Sequence, residues 1–255
     1  MDLYYEVKGE GSAVVLLHAG LTDCRLWDDQ FEVLSRSWKT IRYDVRGLGR
    51  SPRASRPHSH HEDLRELLAS LGVNAASLVG LSLGASIALD FTLAYPEQVD
   101  RLVLADPGVG GWRWSEEVAA RFRAIIETAQ TRGAEAAAEL WLRDPHMVPA
   151  MENARSAPQV RRLTIANARR AFDSGAHPPT PLDPPAVGRL SHIRAPTLVI
   201  VGGRDVPDIR QIAELLVQRI AGATKAVIPG AGHLVHIEAP RQFNRLVTRF
   251  LATPG

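Results

Sequence analysis

Gly80-Leu81-Ser82-Leu83-Gly84 places a serine between two glycines, and this pattern is the most informative stretch of the 255-residue chain. A short apolar run, SLVG (77–80), leads into it, and SLGASIALDFTLA (82–94) continues with helical character. At a strand–turn–helix junction of this kind the serine occupies a tight, strained turn. The residues two positions either side must then lack side chains, and the hydroxyl projects above the sheet edge. The helix start behind it offers free N–H groups and a positive dipole. A glycine-rich turn that merely packs strand against helix is the plainer reading, but the context favours Ser82 as a nucleophile.

A serine hydroxyl attacks poorly until a base takes its proton, so a histidine is required. Position chooses among the nine present. His233 follows PGAG directly after the last apolar run, in a loop at the edge where Ser82 emerges. His236 lies one helical turn further and suits packing or pocket lining. His18 ends a run and suits bracing the next loop. His58, His60 and His61 could suggest a metal site, but no acid or thiol pattern at ligand spacing accompanies them, so no metal is expected. The imidazole in turn needs a carboxylate to fix its tautomer and stabilise the cation formed during attack. Asp205 ends TLVIVGGR and emerges at the same edge. Asp106, at the end of RLVLAD, and Asp208, three residues after Asp205, are its competitors. The N–H of Leu83, next to the nucleophile, is one donor for an oxyanion.

These side chains need a frame that carries strand ends to one rim. Apolar runs at 14–18, 40–45, 77–80, 101–106, 197–203 and 224–230 have continuous rather than alternating hydrophobicity, which suggests strands buried on both faces of a parallel sheet. LYYEV near the start adds an antiparallel edge strand. Between the runs, Leu64, Leu67, Leu68 and Leu71 repeat at helical spacing up to Gly72. Ile209, Ile212, Leu216 and Ile220 form a second such set, and Phe243, Leu246, Val247, Phe250 and Leu251 a third. The expected fold is α/β, with a mostly parallel central sheet flanked by helices.

The alternation breaks between about Gly108 and His192, too long a stretch for one crossover. Val118, Phe122, Ile125, Ile126 and Ala129 mark one helix there, AEAAAELWLR a second and PQVRRLTIANARRA a third. A Pro-rich tail, HPPTPLDPPAVG, then returns the chain to the sheet. The expected division is a core of residues 1–107 and 193–255 with a helical cap inserted at 108–192. Trp112, Trp114, Trp141 and Met147 lie in or beside that insertion and are candidates for an apolar pocket, together with His236. Arg161, Arg162, Arg169 and Arg170 read as a solvated helix face.

Composition narrows the class. Thirty basic residues against 28 acidic ones leave a net charge of +2, which argues against a dedicated nucleic-acid binder. Cys24 is the only cysteine; no intrachain disulfide is possible, and a cytoplasmic location fits. Nothing surrounds it that would activate a thiol. No apolar run approaches the roughly 20 residues of a membrane span, and MDLYYEVKGEG does not read as a secretory or transit signal.

Five segments, in order, resemble the α/β-hydrolase fold enzymes: HAGLTDCRLW (18–27), YDVRGLGRS (43–51), GLSLG (80–84), PTLVIVGGRD (196–205) and PGAGHLVHIEAP (229–240). Ala19 stands where the family usually has glycine. The resemblance implies the order Ser82, Asp205, His233 for a catalytic triad, and it implies that the Gly20 N–H is the second oxyanion donor. It makes Asp44, Arg46, Gly47, Gly49 and Ser51 a structural turn and Trp27 scaffold. A serine at the turn disfavours the haloalkane dehalogenases and epoxide hydrolases, which carry aspartate there. What remains is a carboxylesterase or lactonase acting on a small-molecule ester without cofactor or metal. A 3-oxoadipate enol-lactonase-like enzyme, a carbon–carbon hydrolase and a cofactor-free haloperoxidase stay open beside it, as does a non-enzymatic ligand sensor on the same fold.

Overall fold

A computed structural model describes residues 2–172 and 177–253 of the chain. Seven strands form one sheet: β1 (Tyr5–Lys8), β2 (Ala13–Leu17), β3 (Lys39–Tyr43), β4 (Ala76–Leu81), β5 (Val99–Ala105), β6 (Thr197–Gly202) and β7 (Thr224–Ile228). Their spatial order is β1-β3-β2-β4-β5-β6-β7. Only β1 runs antiparallel, with Val7 opposite Ile41. Every residue of β2, β4 and β6 is buried, as continuous apolar runs demand when both faces are covered. The expectation fails for β7. It is an edge strand in which Ile228 alone is fully buried, while Val227 is 45% exposed. TKAVI is apolar enough to read as an interior run, but no strand flanks its outer side.

Two helical layers cover the sheet. The helices α1 (Asp28–Leu34), α2 (His60–Ser70) and α3 (Leu83–Ala94) alternate with the first strands. Leu64, Leu67 and Leu68 of α2 and Ile87 and Phe91 of α3 pack on one face, and Phe31 and Leu34 of α1 on the other. Gly72 stops α2 with φ +65°, a left-handed conformation that glycine takes without penalty.

Among the described residues, four α-helices lie between β5 and β6: α4 (Glu116–Arg132), α5 (Ala134–Trp141), α6 (Val148–Glu152) and α7 (Ala157–Ala171). Three match the sequence periodicity. The five-residue α6 carries too few positions to show one. The chain then closes through α8 (Pro207–Arg219), α9 (Val235–Glu238) and α10 (Pro240–Leu251). Ile209, Ile212 and Leu216 of α8 join the α2–α3 face; Phe243, Val247 and Leu251 of α10 join the α1 face. Because β2 and β4 to β7 run parallel, their C-terminal ends share one rim, where a parallel sheet gathers its reactive groups.

Candidate active site

Ser82 forms the junction of β4 and α3 at φ +54°, ψ −109°. This conformation is costly for a residue with a Cβ, on the order of 1–3 kcal/mol, and persists only where the surroundings fix it. Ala105 accepts the Ser82 N–H at 3.0 Å, and the Ser82 carbonyl accepts from Gly108 at 3.2 Å. Both flanking glycines are required sterically. A Cβ on Gly80 would lie 2.4 Å from the Gly84 carbonyl oxygen, and one on Gly84 would lie 2.1 Å from that of Leu17.

His233 Nε2 is 2.9 Å from Ser82 Oγ, and His233 Nδ1 is 2.7 Å from Asp205 Oδ2. Asp205 Oδ1 accepts the Val206 N–H at 2.7 Å, which aims the carboxylate. The partners assign the neutral tautomer: Nδ1–H donates to the carboxylate, and Nε2 accepts from the serine. Burial alone depresses the pKa of His233, but the charge and hydrogen bond of Asp205 outweigh it and hold the value above the ordinary one.

The competing acids have other partners. Asp106 is fully buried at φ +38° and accepts from Gly202 at 2.8 Å and Val235 at 3.3 Å. Burial, then the facing charge of Asp205, raises its pKa well above the carboxylate range. Asp208 accepts from the backbone N–H and Oγ of Ser115, both at 2.8 Å, and so ties α8 to the start of α4.

Gly20, Ser82 and Leu83 all line a cavity of about 350 Å³. Leu83 opens α3, where backbone N–H groups lack an intrahelical acceptor. His18 braces the Gly20 loop: its Nε2 accepts the Val45 N–H at 2.9 Å and its Nδ1 donates to the Ala19 carbonyl at 2.8 Å. Leu21, Phe122, Ile125, Trp141, Met147 and Phe172 supply the apolar wall, with the exposed Ile126 at the rim. No charged side chain lines this cavity among the described residues.

Trp141 and Met147 are thus at the pocket. Trp112, Trp114 and His236 are not. Trp112 packs on the core and donates from Nε1 to Asp208 at 3.3 Å. Trp114 packs edge-on against Phe122, with ring centroids 5.4 Å apart. His236 is buried behind the site against Trp27, at 4.3 Å, and bonds the Leu26 carbonyl. His236 belongs to α9, whereas His233 lies in the loop before it.

Three structural residues carry no sequence signal of their own. Glu238 accepts the N–H groups of Gly232 (2.8 Å) and Leu234 (3.0 Å), clamping the loop on both sides of His233. Asn167 on α7 accepts from Gly49 at 2.7 Å and donates to Asp23 at 2.8 Å, joining that helix to the 43–51 turn and the Gly20 loop. His146 meets His233 itself. The 43–51 turn is structural: Asp44 accepts from Cys24 at 2.8 Å and Arg50 at 2.7 Å. Burial, then Asp44 nearby, pushes the Cys24 thiol up and leaves it inert. Arg161 pairs with Glu139 and Arg170 with the Ser51 carbonyl, so that helix face is partly tied to the fold.

His58, His60 and Asp63 bring possible metal-ligating atoms within 4.8 Å of one another. Both Asp63 oxygens, however, accept from the Arg46 guanidinium at 2.7–3.0 Å. A divalent cation there would compete with that cation for the same carboxylate.

A model of the alpha/beta hydrolase family matches residues 14–246. The RutD protein of Rhizobium rhizogenes, named for carbamate hydrolysis, is 29% identical over 98% of this chain and 97% of its own length. Carboxylesterase YbfK of Bacillus subtilis is 26% identical over 95% of this chain and 81% of its own. The crystal structure of a hydrolase from Pseudomonas aeruginosa superposes with a TM-score of 0.80 at 28% identity, covering 98% and 94% of the two chains.

Proposed function

We infer that this chain, which belongs to the alpha/beta hydrolase family, is a serine hydrolase that cleaves neutral carboxylic esters or lactones through an acyl-enzyme on Ser82. The observation that carries the reading is the hydrogen-bonded series from Ser82 through His233 to Asp205, opening on an uncharged apolar cavity.

In the mechanism Ser82 Oγ attacks the ester carbonyl carbon as its proton passes to His233 Nε2. The carbonyl oxygen becomes an oxyanion and accepts from the N–H groups of Leu83 and Gly20; each such donor stabilises the transition state by about 3 kcal/mol. Asp205 holds the imidazolium. Collapse expels the alkoxide, which takes the proton from His233 and departs as the alcohol. Water then attacks the acyl-enzyme with His233 as base, releasing the acid and restoring Ser82. Residues 108–192 act as the cap, whose helices α4 and α5 supply Phe122, Ile125 and Trp141 to the acyl wall.

A lactone opens by the same steps, except that the alcohol stays tethered to the acyl group until water releases the hydroxy acid. The apolar wall weighs against substrates that carry a carboxylate, the 3-oxoadipate enol-lactone among them, because a buried charge needs a counter-charge. The assembled triad weighs against a pure ligand sensor. The test is hydrolysis of p-nitrophenyl butyrate by the wild type and by Ser82→Ala. Turnover by the first and none by a folded second supports the reading, whereas equal rates would remove Ser82 from the mechanism.

A further inference from the structure

His146 lies between α5 and α6, in the segment that covers the site, and is buried. Asp144 Oδ1 accepts both its backbone N–H, at 3.0 Å, and its Nδ1, at 2.6 Å. Asp144 Oδ2 accepts from Arg121 Nε on α4 at 3.0 Å. The ring stacks on Phe122, centroids 5.7 Å apart and planes 21° apart, with Trp141 at 5.5 Å. It also meets His233, at 5.1 Å and 78°, in an edge-to-face contact.

We propose that His146 is a positioning residue: its ring, fixed by Asp144 and Arg121, holds the His233 imidazole in the orientation that joins Ser82 to Asp205. The proposal rests on the function inferred above. The two hydrogen bonds of His233 cannot hold the ring throughout turnover, because the Ser82 bond disappears once Oγ is acylated. A packing contact from a separately anchored ring persists through every step. It also makes the orientation of His233 depend on the seating of the helical segment.

The protonation of His146 suits this role. Burial lowers its pKa, the Asp144 hydrogen bond opposes, and the charge of His233 lowers it again. Its one ring proton is committed to Asp144, so a neutral ring faces the imidazolium that forms during attack. A second cation there would repel it.

The test measures the rate constant for fluorophosphonate labelling of Ser82 and the number of titrated sites, together with kcat and KM for p-nitrophenyl butyrate. His146→Ala is expected to keep the full site count while kcat and the labelling rate fall about 10- to 100-fold, the usual cost of a slightly misplaced catalytic group. KM should move little. His146→Phe keeps a ring without a titratable group and should restore most of the rate. Wild-type labelling and turnover in His146→Ala at full site count would overturn the proposal. If His146→Ala folds poorly, His146→Gln decides: it can still bond Asp144 but has no ring, so a slow rate supports the proposal and a wild-type rate overturns it. Failure of the wild type to label at Ser82 would instead overturn the inferred function, and this proposal with it.

Discussion

His233 Nε2 stands 2.9 Å from Ser82 Oγ across 151 residues of chain, although their strands, β7 and β4, are separated in the sheet by β5 and β6. The loop after β7 must therefore reach back over two strand ends. Its hydrogen bonds show how. Arg204, beyond β6, donates to Ala231 at 2.9 Å, and Val235 donates to Asp106, beyond β5, at 3.3 Å. Asp106 thus anchors the crossing, while Asp205 addresses the imidazole.

The two acids should separate on substitution. Asp205→Asn is expected to lower kcat about 10⁴-fold, as in other triads where the imidazole loses its correct tautomer. Asp106→Asn turns an amide N–H₂ toward one of two backbone donors. It should lower the melting temperature, consistent with about 1–3 kcal/mol for an unsatisfied buried group. Its kcat per titrated site should suffer far less. Steady-state kinetics with site titration distinguishes the two.

Activity should fall on acidification. Only neutral His233 can accept the Ser82 proton, and its pKa is raised, so protonation sets in at a higher pH than for an unperturbed histidine. The acid limb of kcat/KM should have its midpoint above about 6.5, the ordinary histidine value. A pH–rate profile on a neutral ester checks this.

Stability should fall with acid for a different reason. Burial holds His236 at about 3, and it holds His60 at about 3 as well. The unfolded chain protonates such groups near 6.5 while the folded chain does not. Each therefore withdraws up to about 1.4 kcal/mol per pH unit as pH drops from 6.5 toward 3. Melting temperatures between pH 7 and 5 measure the effect, and His236→Phe should reduce the slope.

The tight turn at Ser82 should not tolerate a methyl group. Gly84→Ala sets a Cβ 2.1 Å from the Leu17 carbonyl oxygen, a backbone atom that cannot rotate away. A loss of about 1–3 kcal/mol or more is expected, readable by denaturant unfolding. A melting curve unchanged from wild type would contradict the packing described.

Substrate charge gives a sharper test of the cavity. A p-nitrophenyl ester whose acyl chain ends in a carboxylate should be turned over at least about 100-fold less efficiently than its methyl-ended counterpart, because an unpaired charge in an apolar site costs several kcal/mol. Comparing kcat/KM for the matched pair decides it.

Much of this site was legible before any coordinates, for a physical reason. Ser82, Asp205 and His233 each follow directly on an apolar run, and parallel strands deliver such positions to one rim. The same logic placed β2 to β6. It overstated the burial of β7, whose hydrophobicity is that of an interior strand although it forms an edge. It also could not orient side chains around a loop or within the helical insertion. Trp112, Trp114 and His236 are apolar or aromatic near the right places and turn elsewhere, whereas Glu238, Asn167 and His146 act through contacts between distant segments.

The most direct measurement is intact-protein and peptide mass spectrometry after brief exposure to a slowly deacylating p-nitrophenyl ester. A single acyl adduct on the peptide containing Ser82, absent from Ser82→Ala, is the predicted result. Ester turnover by a Ser82→Ala protein, or an adduct on another residue with Ser82 unmodified, would contradict the account.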